Sequence, residues 1–318
     1  MPDTNVIHRP APDPAKFRDP DVTAKGERRA SVAMAGLRAL WFNTGSLCNI
    51  ACSNCYIESS PSNDRLAYLG ADEVRGYLDE VGREGWPVEE IGFTGGEPFL
   101  NRELPDMLAD ALSRGYRVLV LTNAMKPMQR YLDRVLALEP HAAALTFRVS
   151  LDHYDPEAHE EVRGAGTWEP AIAGLRWLAA NGFSLAVAGR LLWPEREEEL
   201  RAGFAGLFAA EKIPIDAFDP SRLVLFPEMD LQADVPEITT RCWQILGVDP
   251  ATMMCASSRM IIKRKGAAAP AVVPCTLLPY DPAFEFGRRL ADAMRPVKLN
   301  HPFCAQFCVL GGASCSAS

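Results

Sequence analysis

No apolar run in this sequence approaches the eighteen or so residues of a membrane helix, so nothing in it reads as a span. It has no basic excess either: 33 lysines and arginines stand against 41 acidic residues, a formal charge of −8. That balance leaves no electrostatic footprint for nucleic acid or for an anionic membrane surface. The N-terminus, beginning Met1-Pro2-Asp3-Thr4-Asn5, lacks the apolar stretch of a secretory signal. These absences describe a cytoplasmic protein with neither nucleic acid nor membrane as a partner. With 318 residues the chain can bury a large core, as one large domain or two of unequal size. What stands out is cysteine. There are nine, an odd number without an export signal, which argues against a disulfide framework and for metal binding in a reducing compartment.

Three of the nine fall within eight residues, Cys48-Asn49-Ile50-Ala51-Cys52-Ser53-Asn54-Cys55, with Tyr56 next and a strand-like run (Leu40-Trp41-Phe42) shortly before. Three thiolates in one tight loop can hold three corners of a cubane [4Fe–4S] cluster and leave the fourth iron open to a substrate or cofactor. Zinc is the competing reading, but structural zinc loops pair cysteines with a matching second pair, which a lone triplet fits poorly. About forty residues downstream comes Ile91-Gly92-Phe93-Thr94-Gly95-Gly96-Glu97-Pro98. Gly95 and Gly96 permit backbone conformations and a close ligand approach that a Cβ would block. Glu97 can accept a charge-assisted bond from an ammonium group, and Pro98 stiffens the exit from the strand.

In that order and at that distance, the two motifs resemble the radical S-adenosylmethionine (SAM) enzymes. The resemblance implies that Cys48, Cys52 and Cys55 ligate a [4Fe–4S] cluster, and that Gly95, Gly96 and Glu97 receive the amino group of SAM. It implies reductive cleavage of SAM to methionine and a 5′-deoxyadenosyl radical, which abstracts hydrogen from a substrate. An electron donor such as flavodoxin or ferredoxin is implied with it. Many members place an aromatic residue before the third cysteine, where its backbone approaches the adenine; here that residue is Asn54, and Tyr56 follows instead.

A strand–helix alternation begins near residue 37. Strand-like runs lie at 39–43, 90–93, 116–122, 144–151, 183–191 and 222–226, with helical periodicity at 71–84, 102–114, 128–138, 168–180 and 195–210. Six βα-type units are too few for an eight-stranded barrel and suit the α/β, partial (β/α)6 barrel that the resemblance implies. Ligand sites in such parallel architectures lie at the C-terminal ends of the strands, and both motifs sit there. The expected division is an N-terminal arm over 1–36, loose or laid on the surface, a radical SAM core over 37–228, and a cysteine-rich extension over 229–318. By resemblance, Ser150 and Arg163 match positions that hold the carboxylate and ribose of SAM. Each also has a plain reading, a strand-end hydroxyl and a surface charge. Arg190, inside an apolar run, needs a partner if it points inward. His153 and His159 are expected to be polar surface residues.

Six cysteines follow residue 240: Cys242, Cys255, Cys275, Cys304, Cys308 and Cys315. Two strand-like runs between Cys255 and Cys275 read as a hairpin with a cysteine at each foot. Five cysteines within about sixty residues suit metal better than packing, and a zinc ribbon competes for this region. Beside the core motifs, the arrangement resembles a Twitch or shortened SPASM extension, which implies a second, auxiliary [4Fe–4S] cluster. The expected ligands are Cys255, Cys275, Cys304 and Cys308, with Cys315 as the alternative fourth and Cys242 as a bystander. Such clusters accept electrons from, or ligate, the substrate, which points to oxidation or rearrangement of a small molecule. Modification of a peptide or protein is the second reading, set back because only 47 residues precede Cys48, too few for a leader-binding domain unless another chain supplies it. A non-catalytic iron–sulfur redox protein is the third.

Overall fold

Residues 13–230 and 232–313 are described by the computed structural model of the chain. Its strands are β1 (Ser31–Val32), β2 (Ala39–Asn43), β3 (Glu90–Thr94), β4 (Arg117–Thr122), β5 (Leu145–Ser150), β6 (Ser184–Leu191), β7 (Leu223–Pro227), β8 (Ser258–Ile262), β9 (Ala271–Val273) and β10 (Val297–Lys298). The helices are α1 (Ala71–Glu84), α2 (Leu104–Ser113), α3 (Lys126–Gln129), α4 (Leu132–Leu136), α5 (Pro156–Arg163), α6 (Trp168–Ala180), α7 (Glu197–Glu211) and α8 (Cys242–Leu246). All six predicted core strands form, in the order β7-β6-β5-β4-β3-β2, and every neighbouring pair is parallel.

Period-two alternation sorts each strand's side chains between two layers. Ile91 and Phe93 of β3, Val118 and Val120 of β4, and Phe147 and Val149 of β5 enter one core with Val74, Leu108 and Leu175 of the surrounding helices. The alternate residues face inward, where Trp41, Leu119 and Met260 join a second cluster. Trp41 lies opposite Gly92, and a Cβ at that glycine would come within 2.3 Å of the indole.

The C-terminal hairpin forms as expected from β8 and β9, but it does not stand apart. Strand β8 adds parallel to β2 and β9 closes antiparallel on β8, so the sheet has eight strands, open at β7 and β9. From residue 13 the chain runs into the fold: β1 pairs with β10, Ala30 and Val32 are fully buried, and buried Arg29 binds Glu237 at 2.5 Å. Two helical expectations change. The 128–138 stretch arrives as the short helices α3 and α4, interrupted at Tyr131 (φ −123°, ψ 17°). Helix α5 was not expected; Asp155 caps it, accepting from the N–H groups of Glu157 and Ala158, with Pro156 in the first turn.

Candidate metal and cofactor site

The cysteine loop leaves the end of β2 and is tied down on three sides. Cys48 N–H donates to the Ser60 carbonyl at 3.1 Å, and Ser53 N–H donates to the Val162 carbonyl on α5 at 2.9 Å. Ser59 N–H points at Cys55 Sγ, 3.3 Å away. The Gly-Gly turn ending β3 packs directly on this loop: Gly96 N–H donates to Gly45 O at 2.8 Å and Glu97 N–H to Leu47 O at 3.0 Å. The glycines are therefore required by the chain itself as much as by a ligand. Gly95 has φ +145°, and a Cβ on Gly96 would lie 2.1 Å from the Leu47 carbonyl oxygen.

One cavity of about 180 Å³ opens at the C-terminal ends of the strands, walled by Cys48, Cys52, Cys55, Tyr56, Gly95, Gly96, Ser150 and Arg163. Every sequence-derived candidate of the first site but Glu97 is on that wall. Glu97 lies behind it, buried, accepting from Thr122 Oγ1 at 2.8 Å, Asn123 N–H at 2.9 Å and Phe99 N–H at 3.1 Å. Burial pushes its carboxyl up to about 7, against the pull of those donors. Its acceptor sites are not exhausted by three bonds, so one more donor can be received. Burial also pushes the Cys48 thiol up to about 12 and raises Cys52, with Arg163 opposing it at Cys52.

Arg163 is the last residue of α5 and is no surface charge. Its Nε and Nη2 bind both oxygens of buried Asp152 at 2.8 and 3.1 Å. Burial works against the Arg163 charge, but Asp152 and the neighbouring Cys52 thiol hold it above the ordinary arginine value. Arg190 finds the partner it needs: Asp152 at 3.5 Å and Glu228 at 3.2 Å, with its Nη2 donating to Asn54 O at 2.5 Å. The carbonyl before the third cysteine, where the resemblance puts the adenine, thus already carries a protein bond. The two histidines correct their expectation. His153 is buried against Glu195, Nε2 to Oε2 2.8 Å, and His159 is fully buried under Trp168. His159 lies on the buried side of α5, and His153 is in the turn that leads into it.

Around the C-terminal cysteines, Cys255 and Cys304 lie in one buried cluster, with Cys242, Cys275 and Cys308 packed on it. Cys304 and Cys308 occupy one π-helical segment, Cys304–Leu310, and Phe307 between them reaches the cavity wall together with Thr276 and Leu277. Cys304 is pushed up to about 12 by burial, with Cys255 near enough to add to it. Cys315 lies outside the described residues. Among the described residues no three His, Cys, Asp or Glu side chains converge on a single ion. A cubane asks for no such convergence, since each thiolate takes a different iron. The three loop thiols share the wall of one cavity, and the C-terminal thiols belong to or border one buried cluster; thiols are the donors that iron–sulfur clusters take. Residues that carried no role in the sequence reading are Asp152, Asn123, Phe307 and Arg259. Asn123 and Asp152, each ending an apolar strand, are the two that the sequence itself marks.

The family described as the Radical SAM superfamily matches residues 42–202, just over half of the chain. The chain is 28% identical over 148 residues to the Fe-coproporphyrin III synthase of Methanosarcina barkeri, covering 46% of this chain and 35% of that one. It is 25% identical over 190 residues to the antilisterial bacteriocin subtilosin biosynthesis protein AlbA of Bacillus subtilis, covering 58% and 41%. It therefore spans about two-fifths of the length of these relatives. In fold it is similar to Streptococcus suis SuiB bound to S-adenosylmethionine, with a TM-score of 0.59 at 13% identity over 88% of this chain and 68% of that one. No helix among the described residues is long and apolar enough to cross a membrane.

Proposed function

Because the chain belongs to the radical SAM superfamily, we propose that it is an enzyme holding a [4Fe–4S] cluster through Cys48, Cys52 and Cys55, with SAM beside it. The observation that carries this reading is the single cavity whose wall brings those three thiols to Gly95 and Gly96. When bound, cluster and SAM supply reductive cleavage of SAM and hydrogen-atom abstraction. The chain's own residues do the positioning. Gly95 and Gly96 hold the turn tight against the cysteine loop. Glu97 accepts the ammonium of SAM at its remaining acceptor site, and Ser150 with the unspent N–H groups of Arg163 takes the carboxylate and ribose. Tyr56 closes the wall beneath Arg190. A second, auxiliary cluster is assigned to Cys255, Cys275, Cys304 and Cys308, with Cys315 as the alternative fourth ligand.

The reaction is oxidation or rearrangement of a small molecule, with flavodoxin or ferredoxin as the type of electron donor. The relative named for a porphyrin product supports that class. The second reading, modification of a peptide or protein, is favoured by the relative named for bacteriocin biosynthesis. The test is the spectrum of the anaerobically reconstituted, dithionite-reduced protein. Its paramagnetic signal should change on addition of SAM, as it does when a ligand reaches an open iron. A signal indifferent to saturating SAM contradicts the proposal.

A further inference from the structure

Arg259 on β8 is fully buried. Its guanidinium is enclosed by main chain: Nε donates to Ala293 O at 2.8 Å, Nη1 to Cys255 O at 2.7 Å and Ser258 O at 2.6 Å, and Nη2 to Arg295 O at 2.9 Å. The Phe286 ring covers it, 5.5 Å from the guanidinium carbon. The hydrogen bonds are complete, yet the charge is not balanced. Buried Arg29 and Arg190 each meet a carboxylate, as does half-buried Arg163. Arg259 meets none within ion-pair distance among the described residues. Carbonyl oxygens carry only partial charges, and a buried cation without a counter-charge is destabilising. Arg259 Nη1 holds the carbonyl of Cys255, and Cys275 stands at the other foot of the same β8–β9 hairpin.

We propose that Arg259 is the buried counter-charge and positioning residue of a metal–thiolate centre held by Cys255 and Cys275. The inference rests on the reading of the C-terminal cysteines as metal ligands and adds the residue that makes their site habitable. A metal-bound cysteine is a thiolate, so loading the site places negative charge where the guanidinium lacks it. The same side chain fixes the ligand: Nη1 holds the Cys255 carbonyl, and Nε and Nη2 strap 293 and 295 across the back of β8. Hydrogen bonds and charge around cluster sulfurs set both affinity and potential. Arg259 thus holds a metal without touching it.

The test uses the 318-residue chain with alanine at Cys48, Cys52 and Cys55, so that only the C-terminal site reports. Into it go Arg259→Gln, Arg259→Met and Arg259→Lys. After reconstitution, iron and zinc are counted, loss of metal to a chelator is timed, and the midpoint potential is read by spectroelectrochemistry. The neutral variants should lose metal about 10- to 100-fold faster, as outer-shell partners commonly do, and titrate at a more negative potential. Arg259→Lys, which keeps the charge, should hold its potential near the parent's; it also keeps the comparison open if a neutral variant does not fold. Metal retention and potential unchanged in the neutral variants overturn the role of Arg259 while leaving the ligand assignment intact. A lysine variant whose potential shifts as far as that of the neutral ones overturns the counter-charge role. A parent that binds no metal at the C-terminal thiols removes the ligand assignment, and the inference with it.

Discussion

Arg190 donates from Nη2 to the backbone carbonyl of Asn54 at 2.5 Å, so a side chain from inside β6 grips the cysteine loop one residue before Cys55. The same guanidinium lies 4.5 Å over the ring of Tyr56, one residue after Cys55. Both neighbours of the third thiol therefore rest on one group. Asp152 and Glu228 balance its charge. The cysteine loop is thereby keyed to β6 of the sheet.

Arg190→Met removes the carbonyl bond, the cation over Tyr56 and one counter-charge of Asp152. Asp152 keeps Arg163 and Glu228 is partly exposed, so the loss should be about 2–3 kcal/mol of stability. In hydrogen exchange, amides of residues 48–60 should open faster while those of β3 and β4 hold. Unaltered protection in 48–60 would remove Arg190 as the loop's anchor.

Gly96→Ala places a Cβ 2.1 Å from the Leu47 carbonyl oxygen and 2.7 Å from that of Ser46. Backbone cannot rotate aside as a side chain can, so the cost should reach or exceed the upper end of about 1–3 kcal/mol for overpacking. Because Leu47 precedes Cys48, iron bound at the first site should fall as well. A variant with parental stability and iron content would show that the turn and the loop do not meet as described.

Glu97→Gln keeps shape and loses the charge meant for the ammonium of SAM. SAM binding should weaken by about 1.5–3 kcal/mol, roughly ten- to a hundredfold, with iron content unchanged. Burial raises the Glu97 carboxyl from 4.5 to about 7, so it is charged only above that value and SAM should bind more tightly at pH 8 than at pH 6. The glutamine variant should lose that dependence. For folding the sign is opposite: the folded chain favours the protonated form. This group's contribution is therefore full below 4.5 and is lost as pH rises through about 7. Calorimetric titration at the two pH values checks the binding claim.

Alanine at both Cys304 and Cys308 should take the reconstituted chain from about eight irons to about four. The C-terminal segment should loosen, since metal binding there is also folding free energy. Cleavage of SAM should survive, because it belongs to the other three thiols, while turnover of the true substrate falls further. A folded double variant with its first cluster intact but no SAM cleavage would break the division of roles.

Much of this was legible in the residues. The triplet, the Gly-Gly-Glu-Pro turn and the six strands are local patterns, and the cavity gathers the triplet, the two glycines, Ser150 and Arg163 as the strand ends required. What escaped depends on contacts distant in sequence. Gly96 meets Leu47 because β2 and β3 are neighbours, which no spacing reveals. Strand β8 joins β2 across some two hundred residues, so the hairpin gave no hint that it would extend the core sheet. Arg259 sits in a strand whose pattern says only that it is buried. Helix α5 is the exception: Asp155-Pro156-Glu157 is a helix start in plain view, and the burial of His153 and His159 goes with that helix.

The most direct measurement of the central claim is release of 5′-deoxyadenosine. The reconstituted chain, given SAM and dithionite without oxygen, should form it, and the chain with alanine at Cys48, Cys52 and Cys55 should form none above the protein-free background. Equal amounts from the two proteins, or none from the parent with its clusters in place, would contradict the account.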